Sequence, residues 1–505
     1  MYTVRIHSQL EDRLDAEFYN PEALKTVQKI DGLGKTKRLG QLIADGYRVV
    51  YHGTDSINGI PEERLLPFLS PTQIDDQGSI DFSAADKLPL YYKDDYPKGL
   101  AVAGELLIEV KGNVSKVGVV PEEFPKHLMV SGSLYKASFK ADTNSRYVLA
   151  FLKSKHGQIL KNRLTSNTII NYIAKDALYS IPLFAANSDV QKYIGDKVRQ
   201  AERLRTWAKA RGTAIGTLVS DAAMKSACAT TEKQHNRPQL EDLSHRLDPK
   251  YYGNRAVAVF RQAKALGKPL YSLVKGIANG FEERVFFDSG RDYITVTEVS
   301  SGRLDLSSAP KIAHTTEVPD KAIIHERCAL VVRTGSIGTA VKVDARDRGA
   351  AISSHLIRLE FEDEAIAAAV AAYLCSPAGK VLQHKISYGA VQPQIGQDEL
   401  LALPIPQFVL DAKEQILTLV TEQESAIRAS KSLTAVARAL IEDLIEGQIT
   451  EAQLIAAEQA LQNGNDTLDR KILGRLKTDG IDGDGAALFS DLDELYRLLA
   501  LAEVE

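Results

Sequence analysis

The chain has 505 residues, room for several domains with their own cores, and its 44% hydrophobic and 25% charged residues are those of an ordinary folded protein. No apolar run approaches the ~20 residues of a membrane span, and the opening MYTVRIHSQLEDRLD carries acids early and no hydrophobic signal region. The cysteines Cys228, Cys328 and Cys375 show no metal-ligand spacing, which points to a reduced cytoplasm. The net charge of −4 is unevenly spread: residues 446–505 hold 13 acids and 5 bases, a balance of −8, which leaves +4 for the rest. Residues 186–235 alone carry 9 bases against 5 acids. A mildly basic body beside an acidic tail permits nucleic-acid binding without demanding it.

In chain order, the first signal is a repeat. The stretch from Leu10 to Tyr19, LEDRLDAEFY, is echoed 233 residues later by LSHRLDPKYY from Leu243 to Tyr252. Both run into a helical stretch and then KRLGQLIADGYRV or YSLVKGIANGFEE. Residues 50–100 are rich in Pro, Gly and Asp and read as loops around short strands. Next come a buried strand, Gly104 to Lys111, with its partner Glu326 to Arg333, and a shared strand at Val130–Leu134 and Ile352–Leu356. Residues 147–183 then recur as 369–405 at an offset of 222. Ala150-Phe151-Leu152 falls on Ala372-Tyr373-Leu374, Gly157 on Gly379, Leu160 on Leu382, Asp176 on Asp398 and Pro182 on Pro404. The offset drops by eleven across the unit, so the first copy holds about eleven extra residues, expected within 50–100. A repeat of this length makes the chain two versions of one unit.

Each unit runs into a long helix. After Ser188-Asp189, apolar or small residues recur at Val190, Ile194, Val198, Ala201, Leu204, Ala208 and Ile215. In the second helix Leu419, Ala426, Leu433 and Leu440 stand seven apart, a coiled-coil spacing. The predicted class is α/β (α+β): two mixed units separated by two long antiparallel coiled-coil helices, each about 35 residues or roughly 50 Å long, plus an acidic helical extension. The expected boundaries are 1–185, 186–235 for the first spacer helix and linker, 236–410, 411–446 for the second spacer helix, and 447–505. The extension reads either as a solvated cap or as a docking segment for a partner.

Catalytic motifs are weak. Glu109-x-Lys111 mimics half of a metal-dependent nuclease site. It lacks a suitable upstream acid, and the offset places Val331 where Glu109 stands, so an exposed strand end is the preferred reading. His156, His355 and His384 have no partner at metal or triad spacing. The turn Gly335–Gly338 lacks a full phosphate-loop pattern, and Asp479, Asp482 and Asp484 lack a calcium-loop register. No Asn- or Asp-Pro-Pro-aromatic methyltransferase motif is present.

The openings RLDAEFYNP and RLDPKYYGN, the stretch Ser166-Asn167-Thr168 to Pro182 with its partner Tyr388-Gly389-Ala390 to Pro404, and the two helices together resemble the specificity subunits of type I restriction–modification systems, over residues 1 to about 445. The acidic extension departs from that pattern. The resemblance implies a non-catalytic adaptor without a cofactor of its own. Each unit would be a target-recognition domain on one half of a split site in double-stranded DNA, with the helices as the ruler. Adenine methyltransferase subunits carrying S-adenosylmethionine would dock on the helices, and a motor-nuclease subunit would join in a full system. Arg and Lys read guanine edges, Asn and Gln read adenine, and cations hold phosphates. The candidate contacts are Arg48, Tyr51, Lys111, Asn113, Lys116 and Lys136 in the first unit, and Arg284, Arg291, Arg333, Ser336 and Lys342 in the second. Ser166-Asn167 and Gln392/Gln394, in the duplicated stretch, rank lower. The alternatives are a structural adaptor of a defence complex with weak DNA specificity, and a metal-dependent nuclease.

Overall fold

The computed structural model describes residue 13 and residues 16–51, 53–166, 170–389 and 391–504. Leu14 and Asp15 of the opening, Asn167 and Thr168 of the duplicated stretch, and Ala390 of its partner lie outside the described residues. The chain divides into two compact units, Met1–Thr206 with Ile427–Glu505, and Trp207–Ala426.

The first unit holds a four-stranded antiparallel sheet in the order Ile43–Tyr47, Leu134–Phe139, Leu106–Glu109, Val117–Val119. A second sheet sets Leu65–Leu69 antiparallel to Asp86–Pro89 and parallel to Met129–Val130. A ribbon of Thr36–Arg38 against Pro182–Phe184 ties the start to the end. The second unit repeats all three. Its four strands run Gly276–Asn279, Leu356–Glu360, Cys328–Val332, Ala340–Lys342, its three-stranded sheet has the same mix of senses, and its ribbon is Gly267–Pro269 with Pro404–Pro406. Mixed α/β units with a duplicated topology are therefore what this sequence builds.

The repeated residues are the ones that packing cannot spare. Phe151, Leu152, Tyr373, Leu374 and Leu382 are wholly buried. Ser154 and Ser376 break the helix pair and cap its second member, accepting from Gly157 N (3.2 Å) and Gly379 N (3.1 Å). A Cβ on Gly157 or Gly379 would sit 2.1 or 2.2 Å from the carbonyl of Phe151 or Tyr373, so only glycine fits. The arginine of each opening is a clamp: Arg13 donates to the carbonyls of Leu164 (3.0 Å) and Thr165 (2.8 Å), and Arg246 to those of Ile386 and Ser387.

Strand register corrects one equivalence. Leu134 pairs with Glu109, and its counterpart Leu356 pairs with Val332, so Val332 rather than Val331 takes the place of Glu109. A one-residue slip in a strand changes the face a side chain occupies, so the distinction matters. The same pairings locate the extra residues. The offset is 231 at Thr36 and Tyr47, 225 at Leu69, 223 from Leu106 to Val119 and 222 at Val130, which puts six of the eleven between Tyr47 and Leu69. The loop-rich region holds most of the insertion, not all of it.

The long helices span Ser188–Leu218 and Lys413–Glu446. The heptad residues Leu419, Ala426, Leu433 and Leu440 are buried, and so are Val190, Ile194, Val198, Ala201, Leu204 and Ala208. In the first unit Arg205 Nη2 donates to Thr434 Oγ1 at 2.8 Å; in the second, Gln423 Nε2 donates to Ala208 O at 3.1 Å and Arg211 lies 3.5 Å from Glu422. Rising numbers on one helix meet falling numbers on the other, so the pair is antiparallel.

The extension is more than a solvated cap: it belongs to the first unit. Helices Glu451–Gln462, Thr467–Arg475 and Leu492–Val504 bury Leu454, Ala457, Leu473, Leu495 and Leu498. Asp469, from the second of them, reaches Lys197 Nζ at 2.6 Å on the first spacer helix. Among the described residues no single helix is long and apolar enough to cross a membrane.

Candidate nucleic-acid interface

In the first unit the loop after strand Leu106–Glu109 is organised by the acid that ends it. Glu109 is 4% exposed, and its carboxylate accepts from the backbone N–H of Asn113 (3.1 Å), Ser115 (3.0 Å) and Lys116 (3.0 Å). These bonds hold a turn containing Val114 at φ 51°, a left-handed conformation costly for a β-branched residue. Glu109 is thus not an exposed strand end: it faces inward, while Lys111 is exposed. Among the described residues no group of three or more His, Cys, Asp or Glu is placed to hold a metal ion. The loop presents Lys111 and the side chain of Asn113 outward, and its Lys111-Gly112 edge pairs with Asn171-Tyr172.

Next to that edge, Arg48 donates Nε to Gly132 O (2.6 Å) and Nη1 to Tyr172 Oη (3.2 Å), its guanidinium 5.2 Å from the Tyr172 ring centre. A guanidinium held against an aromatic face is pre-organised for a planar acceptor. Lys116 reaches Asp76 and is half-buried.

Two first-unit candidates have other work. Tyr51 packs against Phe68, Tyr92 and Tyr96 and donates to Val130 O at 2.8 Å, with burial holding its hydroxyl well above the ordinary tyrosine range. Lys136 is 6% exposed; its ammonium donates to the carbonyls of Lys98 (3.1 Å) and Leu100 and lies 3.2 Å from Glu105. It leaves the candidate set, because a ligand could reach it only by opening the unit.

The second unit builds the same rim by other means. Val332 offers no carboxylate, so its loop is tied by backbone bonds: Gly335 N to Pro393 O at 3.1 Å, and the bridge of Thr334 with Gln394. Gly335 and Gly338 take φ of 88° and 103°, which glycine adopts without strain. Ser336 is exposed on this loop, and Arg333 is half-buried with Nη1 3.4 Å from Ser354 O. Arg291 opens a sheet strand, half-buried, away from this loop in sequence. Arg284 is exposed and paired with Glu282 at its tip. Lys342 is 5% exposed and lies 3.2 Å from Glu364, so it too leaves the set.

Two features escaped sequence reading. Tyr172 matters because Arg48 stacks on it, and the signal available was its position six residues after Ser166, matched by Gln394 after Tyr388. Phe286 and Phe287, 46% and 52% exposed, form with Val285 an apolar patch beside Arg284 that composition did not announce.

No protein-family model matches the chain, and no curated protein matches it. Solved structures to which it is similar include two type I restriction–modification S subunits and a chain from a type I R-M system. The S subunit from M. genitalium is 12% identical, with a TM-score of 0.37 over 81% of this chain and 95% of that one. The HsdS subunit from Thermoanaerobacter tengcongensis is 14% identical, with a TM-score of 0.27 over 82% and 97%. A chain from structural work on complex assembly and conformational transition of the type I R-M system is 13% identical, with a TM-score of 0.25 over 84% and 96%.

Proposed function

We propose that this chain is the sequence-specific DNA-recognition subunit of a type I-like restriction–modification or related phage-defence methylation complex, acting in the cytoplasm without catalysis of its own. Each unit grips one half of a bipartite site in double-stranded DNA, and the helix pair fixes the spacing. Adenine methyltransferase subunits, carrying S-adenosylmethionine, dock on the helices, and a motor-nuclease subunit joins where the system restricts. The observation that carries this reading is one fold built twice with different side chains on equivalent rims. Arg48 stands where the second unit has Asn279 and Asn113 where it has Ser336, while exposed Lys111 stands where the second unit has the buried Thr334. One scaffold with two sets of polar contacts suits two different half-sites, since base edges are told apart by such groups at ~1–3 kcal/mol per good pair.

The test is a gel shift of the full chain with mixed duplexes at moderate salt, alone and with a co-encoded adenine methyltransferase. A strong preference among sequences is expected, and Lys111→Ala with Asn113→Ala should relax it in one half-site only. Equal binding of all duplexes in both conditions would overturn the reading in favour of a structural adaptor.

A further inference from the structure

Within the second unit a cavity of about 340 Å³ lies between the first spacer helix at 212–219, the second at 420–424, helix Glu364–Cys375 and strand Ala340–Lys342. That volume falls within the range of about 300–1,000 Å³ common to ligand pockets. Gly216, Ser301 and Gly302 on its lip are exposed, so its walls are reached without opening the unit. Ile215, Val219, Ala368, Ala371 and Ala372 make much of the lining apolar. Glu424, 8% exposed, brings a carboxylate to the wall.

The first unit shows what a space of this kind holds. At the offset of 222, Ala368, Ala371, Cys375 and Gly216 of the cavity correspond to Arg146, Leu149, Lys153 and Arg438, so four long side chains are cut short together. The acid is kept: Glu424 corresponds to Glu202. In the first unit Arg146 answers that acid, donating Nε at 2.9 Å and Nη2 at 2.8 Å to Glu202 Oε2, with the two side chains 7% and 16% exposed. In the second unit alanine stands in place of that arginine, and both positions of the ion pair line the one cavity.

The other cations at the cavity do not stand in for it. Lys342 is held 3.2 Å from Glu364, and Arg303, half-buried, makes no ion pair among the described residues. A carboxylate offers about four acceptor positions, so Glu424 can keep the contacts it has and still take a planar donor. We propose that this cavity binds an alkylguanidinium group, with Glu424 accepting from the guanidinium and the apolar lining covering the aliphatic stem. A guanidinium fork matches a carboxylate in shape as an ammonium does not, and its weak hydration suits a desolvated wall. The group is an arginine side chain carried by a protein partner or a small free guanidino compound. The site goes beyond DNA reading and does not depend on it, since a chain that binds no DNA can still bind a guanidinium.

The full chain is titrated calorimetrically with propylguanidinium and with N-acetyl-arginine amide, against N-acetyl-citrulline amide, which keeps the shape of the arginine probe and lacks its charge. The guanidinium probes should bind and the citrulline probe should not. Glu424→Gln should weaken binding at least about tenfold, as expected for a lost charged hydrogen bond. Ala368→Arg, which restores the side chain the first unit carries, should abolish binding and raise the unfolding temperature. The near-isosteric Glu424→Gln still reads the site if Ala368→Arg does not fold. N-acetyl-arginine amide bound as well as propylguanidinium assigns the site to an arginine within a protein; a preference for propylguanidinium assigns it to a small free compound. No binding of either guanidinium probe, a citrulline probe that binds as well, or binding left unchanged by Glu424→Gln overturns the site.

Discussion

Asp469 is the residue whose removal should most sharply separate the extension from the unit it packs on. Its Oδ1 lies 2.6 Å from Lys197 Nζ and accepts from Tyr193 Oη at 2.6 Å, while Oδ2 accepts from Tyr496 Oη. Both charged side chains are 2% exposed, so water cannot replace either partner. Asp469→Ala leaves a buried ammonium and two hydroxyls unmatched, and breaking such a pair costs about 3–5 kcal/mol. Replacing both charges, with Lys197→Met and Asp469→Leu, should cost far less, because it removes the penalty together with the attraction. The pH dependence follows. Burial alone would raise the Asp469 carboxyl, but Lys197 and the tyrosine hydroxyls outweigh it and hold it below the usual carboxylate range. An acid depressed in the folded state stabilises above its unfolded value, near 3.9, and that stability is lost as pH falls through the folded value. Urea denaturation at pH 7, with limited proteolysis reporting release of residues 447–505, reads the effect. A loss under about 1 kcal/mol for Asp469→Ala, with the extension still resistant, would refute the reasoning.

Three further outcomes are expected. Glu109→Ala should cost about 3 kcal/mol, since three backbone N–H groups lose a charged acceptor, and hydrogen exchange should localise the loss to residues 110–116. Lys136→Ala and Lys342→Ala should destabilise their units in thermal melts, whereas Lys111→Ala should change stability by no more than about 0.5 kcal/mol and show its effect in DNA binding. Asp443, whose carboxyl burial pushes up to about 6, accepts from Ile481 N at 3.1 Å. Ionising it penalises the fold increasingly from its unfolded value up to about 6, so Asp443→Asn should stabilise by about 1–3 kcal/mol at pH 7 and hardly at pH 4 in denaturant titrations.

The duplication was legible because it rests on residues with one structural solution. Gly157 and Gly379 sit against a carbonyl, Ser154 and Ser376 cap the same break, and Arg13 and Arg246 clamp the same turn. The heptads showed the helix pair for the same reason, since Leu433 and Leu440 have only the partner helix and the core to face. What sequence could not show is where charges end up. Lys136 and Lys111 are both lysines near apolar strands, yet the carbonyls that bury Lys136 lie 38 and 36 residues away in the chain. The role of Glu109 depends on a turn folding back onto it. The extension's packing on the first unit was hidden because its key aspartate meets its lysine 272 residues earlier.

How the two rims are anchored bears on how such a chain could change what it reads. In the first unit the loop is fixed by a carboxylate below it, in the second by backbone bonds to Pro393 and by glycine conformations. In neither case does the exposed side chain of Lys111, Asn113 or Ser336 hold the loop in place. Those positions can therefore vary without a stability penalty, while Glu109 and Gly335 cannot. On the proposed function, contact with DNA and folding would be carried by different atoms of the same loop. A scaffold with that separation can acquire new half-sites by substitution at its rim while the core built from Phe151, Leu152, Tyr373 and Leu374 stays as it is.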